Sequence, residues 1–140
     1  MFNWLVITLI NMSAKAKLAR MVNPNRANLI KWFSYQFDGT STQGIEYLTK
    51  VAIEKGYVSP RKAPTGESLK SWVMANNAPQ WACRSAFDFL IDNQWKPEDE
   101  YSRAIAARYF LLNNHVITEE WNAMLGVWLT IARQADNENN

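Results

Sequence analysis

The sequence has one cysteine, Cys83, and one histidine, His115. A lone thiol rules out a disulfide framework within the chain and points to a reducing compartment. One Cys with one His is also too few for a Cys/His zinc site, so no metal is expected. There is no Ser/His/Asp arrangement, no metal-ligand spacing and no Gly-rich phosphate loop. Gly66-Glu67-Ser68 has a small residue before a serine, but no strand precedes it as a nucleophile elbow requires. The expectation is a protein that is not an enzyme and carries no cofactor. Long apolar runs are missing too. The longest, Phe2 to Ile10 (FNWLVITLI), falls well short of the roughly 20 residues that cross a bilayer. It lacks the basic leader of a signal peptide, although Ala14-Lys15-Ala16 imitates a cleavage site. Two readings stand for this run: a strand or helix end packed on the core, or an upstream extension ahead of a start at Met12. A cytoplasmic location without a membrane partner is expected. Strand alternation, internal repeats, heptads and low-complexity stretches are absent as well.

What the chain does have is aromatic mass: seven Trp and five Tyr in 140 residues, 48% of which are hydrophobic. That length buries a core of its own and makes one domain the default. Aromatics beyond the needs of that core would mark a partner surface. Charge is unevenly spread. Residues 1–72 hold ten Lys/Arg against four Asp/Glu, a net +6, while residues 73–140 hold five against nine, a net −4. A basic half is the footprint of a nucleic-acid binder, whose Lys and Arg replace phosphate counterions. The plain alternative is a chance imbalance of surface charge.

Caps, breakers and spacing predict seven helical segments. Ser13 caps a basic helix through Met21, broken by Asn23-Pro24-Asn25. Asn25 caps Arg26 to Phe37, with Leu29, Ile30, Phe33 and Phe37 at helical spacing. Ser41 or Thr42 caps a helix to Lys55, and Gly56 suits its C-terminal cap. Val58 to Gly66 carries two prolines and cannot be helix interior. The next helix is short, with Leu69, Trp72 and Val73 inward and Ser68, Lys70 and Ser71 outward, and it ends at Asn76-Asn77. Pro79 opens another, where Ala82, Ser85 and Ala86 permit close packing around a buried Cys83. Pro97 with Glu98, Asp99 and Glu100 starts a further helix, striped by Tyr101, Ile105, Tyr109 and Leu112. Thr118 caps the last, on which Trp121, Met124, Leu125, Trp128 and Ile131 form one face. His115 falls in a solvated turn. The fold predicted is an all-α, compact single-domain multi-helix bundle over 13–134, with residues 1–12 an apolar extension and 135–140 a frayed, disordered tail.

The stretch Tyr47 to Leu90 resembles the helix-turn-helix of the Cro/CI-type phage repressors. Ala52 and Gly56 match the Ala-x-x-x-Gly that ends that family's first helix, and Val58-Ser59 is similar to the pair found after it. Leu69-Lys70-Ser71-Trp72 is similar to the end of its second helix, and Pro79 opens a further one. Where the family has a tight turn, this chain has nine residues, Tyr57 to Thr65. The resemblance implies a small DNA-binding regulator of phage or mobile-element type. Its base contacts would come from Ser68 and Ser71, and its phosphate contacts from Arg61, Lys62, Lys70, Lys15, Lys17 and Arg20. Trp121 and Trp128 would join two subunits in a homodimer. Double-stranded DNA is then the expected partner. The alternative is a protein-interaction module, an inhibitor or adaptor of a nucleic-acid enzyme, which would use exposed aromatic surface.

Overall fold

Helix starts are placed by the short polar side chains that satisfy otherwise orphaned amides. The computed structural model describes residues 12–138, and among them every regular element is helical. The α-helices are α1 (Ala14–Val22), α2 (Asn28–Gln36), α3 (Ser41–Glu54), α4 (Glu67–Ala75), α5 (Gln80–Asp92), α6 (Glu100–Leu112), α7 (Glu119–Leu125) and α8 (Val127–Glu138). The all-α expectation is therefore met. The run Phe2–Ile10, and with it the choice between Met1 and Met12, lies outside the described residues. Ser13 and Thr118 cap α1 and α7 as expected, accepting from the amides of Ala16 and Trp121. Thr40, one residue earlier than expected, forms a capping box with Gln43 at α3. Asp99 does the same with Ser102 at α6.

Helix ends are equally regular. At Gly56, Asn76, Gln94 and Asn114 the backbone turns left-handed, with φ of 75°, 48°, 63° and 56°. At each, two amides reach back into the last turn: Gly56 to Ile53 and Tyr57 to Ala52, for example, or Asn114 to Leu111 and His115 to Phe110. These are Schellman ends, three of them built without glycine. The motif brings the residue beyond the turn onto the helix it has just left. His115 accordingly stands edge-on to Phe110, ring centroids 5.6 Å apart, and is half-buried rather than solvated as the sequence predicts.

The helices fall into two units: a continuous one of residues 24–96, here the inserted unit, and one split between residues 12–23 and 97–138. In the inserted unit α5 packs on α2 and α3, and α4 lies against the same two helices. Its core is Leu29, Ile30, Phe33, Ile45, Leu48, Phe87 and Leu90, each fully buried and worth about 1.5–3 kcal/mol. Ala82, Ser85 and Ala86 on α5 are also fully buried, as close helix packing needs. Cys83 is buried among them. In the split unit α6 packs on α1, α7 and α8, so its burial extends through Ala104–Ala107 to Tyr109 and Phe110. Of the predicted stripe, Ile105 and Tyr109 are fully buried and Leu112 is half-buried, whereas Tyr101 is exposed and Ser102 takes the inward place in the first turn.

Two further expectations are corrected. The last helix is two helices, because Gly126 adopts φ 57°, ψ −131° and ends the first. The frayed tail from Ala135 is instead helical to Glu138. Ala135 is buried, Asp136 pairs with Arg108 at 3.4 Å, and the Glu138 carboxylate accepts from the amides of Ala14 and Lys15 at 3.1 and 2.9 Å. Two of the bonds on this tail come from Ala14 and Lys15, more than 120 residues away in the sequence.

Asn76 serves two helices. Its backbone ends α4, and its Oδ1 accepts from the Ala27 amide at 3.0 Å, where α2 has no side-chain cap of its own. Asn76→Gly should keep the turn and lose about 1 kcal/mol, and Asn76→Ala should lose more, about 2 kcal/mol, in urea unfolding. Asp99 carries a pH dependence. The Ser102 amide, then the Ser102 hydroxyl, then Arg103 hold its carboxyl below the usual range. A carboxylate with a depressed folded pKa contributes stability above its unfolded pKa and loses it as pH falls through the folded value. Asp99→Asn should therefore keep much of the cap while flattening the acid limb of an unfolding-midpoint curve.

Candidate nucleic-acid interface

The segment between α3 and α4 is set by what its ends can bond to. At the start, Gly56 turns the chain and Tyr57 is carried back toward α3. The Tyr57 hydroxyl donates to Asp88 Oδ2 on α5 at 2.6 Å, and Lys55 Nζ donates to the same oxygen at 3.0 Å. Asp88 is only 2% exposed, so its charge is desolvated, and both donors meet it at the same oxygen. Arg84, one turn earlier on α5, lies over the Tyr57 ring at 3.9 Å from its centroid. Burial first, and then the bond to Asp88, push the Tyr57 phenol well above its ordinary pKa, so it remains a donor.

At the other end Gly66 sits against the start of α3. A Cβ there would stand 2.7 Å from Thr42 Oγ1 and 2.8 Å from the Thr42 amide nitrogen. The nine residues between thus run from the end of α3 back to its beginning, a span of about 18 Å from the helical rise. Nine extended steps reach about 30 Å. The segment is a strap with limited slack, not a free arm. Pro60 and Pro64 fix their own φ and drive Ser59 and Ala63 toward extended conformations. Ser59 to Lys62 stand exposed, and Ala63 and Pro64 are half-buried again. Within the exposed part Arg61 is tied to Ser59, its Nε donating to the carbonyl and its Nη2 to Oγ, both at 3.2 Å.

The strap delivers the chain into α4. Leu69 is the buried residue of this helix, and Glu67, Lys70, Ser71, Met74 and Ala75 form a continuous exposed face at helical spacing. Ser68 is half-buried beside it, Lys70 and Ser71 are open to solvent, and Met74 is 77% exposed. The first turn of α4 has no side-chain cap. Between it and the start of α3 lies a shallow depression of about 680 Å³ bordered by the hydroxyls of Thr40, Ser41, Thr42 and Thr65 and by Lys70. Glu67 borders it as well, so the charge there is mixed.

The structure places Arg61, Lys62, Ser68, Lys70 and Ser71 in the inserted unit, on the strap and α4. Lys15, Lys17 and Arg20 lie on α1, in the split unit, with Lys15 and Arg20 exposed and Lys17 half-buried. Trp121 and Trp128 sit on two different helices. Trp121 is 7% exposed and packs on Phe110 with centroids 4.7 Å apart. Trp128 is half-buried and donates from Nε1 to Glu100 at 2.7 Å. No described tryptophan is among the exposed large hydrophobics; Trp32 stacks on Trp95 at 5.1 Å and Trp72 meets Trp81 edge-on at 5.9 Å.

Sequence reasoning missed Tyr57, Asp88, Lys55 and Arg84, which hold the strap. One signal was there: Asp88 is a carboxylate inside the apolar run Phe87 to Ile91, and a buried acid needs donors. No group of His, Cys, Asp and Glu capable of holding a metal occurs among the described residues, and no helix there is long and apolar enough to cross a membrane.

Gly66→Ala tests the pinned end of the strap. Because the clash falls on backbone as well as a side chain, it should destabilise the chain by about 1–3 kcal/mol in urea unfolding, whereas alanine helix propensity alone would stabilise it. In comparison with known proteins, the chain matches no family model, no curated protein and no solved structure.

Proposed function

We propose that this chain is a small DNA-binding regulator, of the kind carried by phages or mobile elements, whose contacts centre on the strap and α4. The observation that carries the reading is that Arg61 and Lys62 on the stiffened strap, and Lys70 and Ser71 on the helix it feeds, all stand open to solvent. Cations held at a fixed height meet regularly spaced phosphates with little ordering cost, and short side chains on α4 approach base edges without obstruction. The inserted unit supports this electrostatically, with nine Lys/Arg against six Asp/Glu, a net +3. Ser68 and Ser71 supply modest base contacts. On the split unit, Lys15, Lys17 and Arg20 of α1 would meet phosphates as a separate basic patch.

The rival reading, an adaptor or inhibitor that binds protein through bare aromatics, draws less support. Of the described tryptophans Trp121 is buried and the other five are half-buried, leaving Tyr35 and Met74 as the exposed large apolar side chains of the inserted unit.

The test is anisotropy of a labelled duplex titrated at several salt concentrations. Binding should weaken linearly on a log–log plot, and Arg61→Ala, Lys62→Ala or Lys70→Ala should each make the slope shallower by about 0.9. A salt-independent affinity, or a slope untouched by all three changes, would sink the proposal.

A further inference from the structure

A buried carboxylate is a weak source of stability, since an apolar residue of similar size packs without the desolvation cost. What Asp88 adds is direction: its Oδ2 fixes the positions of the Tyr57 hydroxyl and the Lys55 ammonium at once. We propose that Tyr57 and Asp88 are positioning residues, a latch that sets the height at which the strap presents Arg61 and Lys62 to phosphate. This rests on the DNA-binding reading above.

Four features make the latch effective. The strap begins at Tyr57, so a shift of that ring moves the whole stem. With its ends about 18 Å apart and about 30 Å of chain between them, the strap's middle can stand no more than about 12 Å from the line joining its anchors, and any change at an anchor redistributes that height. Pro60 and Pro64 limit bending between the stem and the far end. Finally, Arg61 is bonded to Ser59 within the strap, so its guanidinium travels with the strap backbone rather than averaging over free rotamers. Arg84 on the Tyr57 ring face is a second hold that does not involve the hydroxyl. Removing the hydroxyl alone should therefore release the direction and leave the ring in place.

The experiment uses the full chain with Tyr57→Phe, and Asp88→Asn as a second variant should the first fold poorly. Amide hydrogen exchange is measured at Gly56 and Tyr57, the stem amides bonded to Ile53 and Ala52, and binding of a labelled duplex is measured across salt. Exchange at these two amides should speed up by about tenfold, with little change elsewhere. Duplex affinity should fall by about three- to tenfold, the salt slope staying as it is because the same phosphates are met. Unchanged exchange overturns the latch. Faster exchange with unchanged affinity overturns its positioning role, and so does a slope shallower by about 0.9, which would make Tyr57 part of a phosphate contact instead. A wild-type chain that binds no duplex at any salt overturns the DNA reading by itself, and the exchange result still decides whether the latch holds the strap.

Discussion

Backbone groups at helix ends have no partner inside the helix, and the way this chain supplies partners for them determines its connections. Starts are met by Ser13, Thr40, Asp99 and Thr118 close at hand. Four ends are met by left-handed turns at Gly56, Asn76, Gln94 and Asn114. Where no local cap exists, a distant one is used: Asn76 serves α2. Glu138 reinforces α1 from much farther along the chain, 124 residues from Ala14. The left-handed turns also aim the residue just past each helix. Tyr57 is carried to Asp88, Trp95 toward Trp32, and His115 onto Phe110, so each of these connections begins already packed.

The candidate interface grows from that rule. Its stem is a helix end turned by Gly56, its far anchor is a glycine pressed on a helix start, and two prolines stiffen the chain between. Aromatic mass goes into the interior and its margins, as the Phe33, Phe37, Tyr47 and Phe89 cluster shows, with rings 4.9–6.1 Å apart. The surface left on α4 and the strap is mostly polar, short and basic. Such a surface suits phosphate and groove edges better than an apolar partner.

Much of this was legible in the sequence because it is local. Ser13, Gly56, Pro79, Thr118 and the spacing of Leu29, Ile30 and Phe33 need only their neighbours to be read. What escaped involves residues far apart in the chain. The cap on α2 comes from Asn76, 49 residues away from the Ala27 amide, and the latch joins Tyr57 to Asp88 over 31 residues. The tail from Ala135 reads as frayed because its polar composition is visible and its partners, Ala14, Lys15 and Arg108, are not. Gly126 hid in a run whose apolar spacing continues across the break, since a positive φ leaves no mark on periodicity. For the interface, exposure of Arg61, Lys62, Lys70 and Ser71 was readable from the prolines and the helical face. The stiffness of the strap was not, because it depends on Gly66 meeting Thr42 and on the buried acid of α5.

The bond from Glu138 to α1 has a bearing on how the chain is made. α1 emerges from the ribosome early, but the helices it packs on, α6 and α8, arrive only after residues 24–96 have been added. The inserted unit is continuous and can complete its own contacts during synthesis, whereas the split unit must hold its first piece in reserve. A nine-residue helix such as α1 is marginal by itself, and its Ala14, Leu18 and Val22 row stays uncovered until α6 and α8 have been made. The Glu138 carboxylate, made more than a hundred residues after α1, is what completes the bonding of that helix's start.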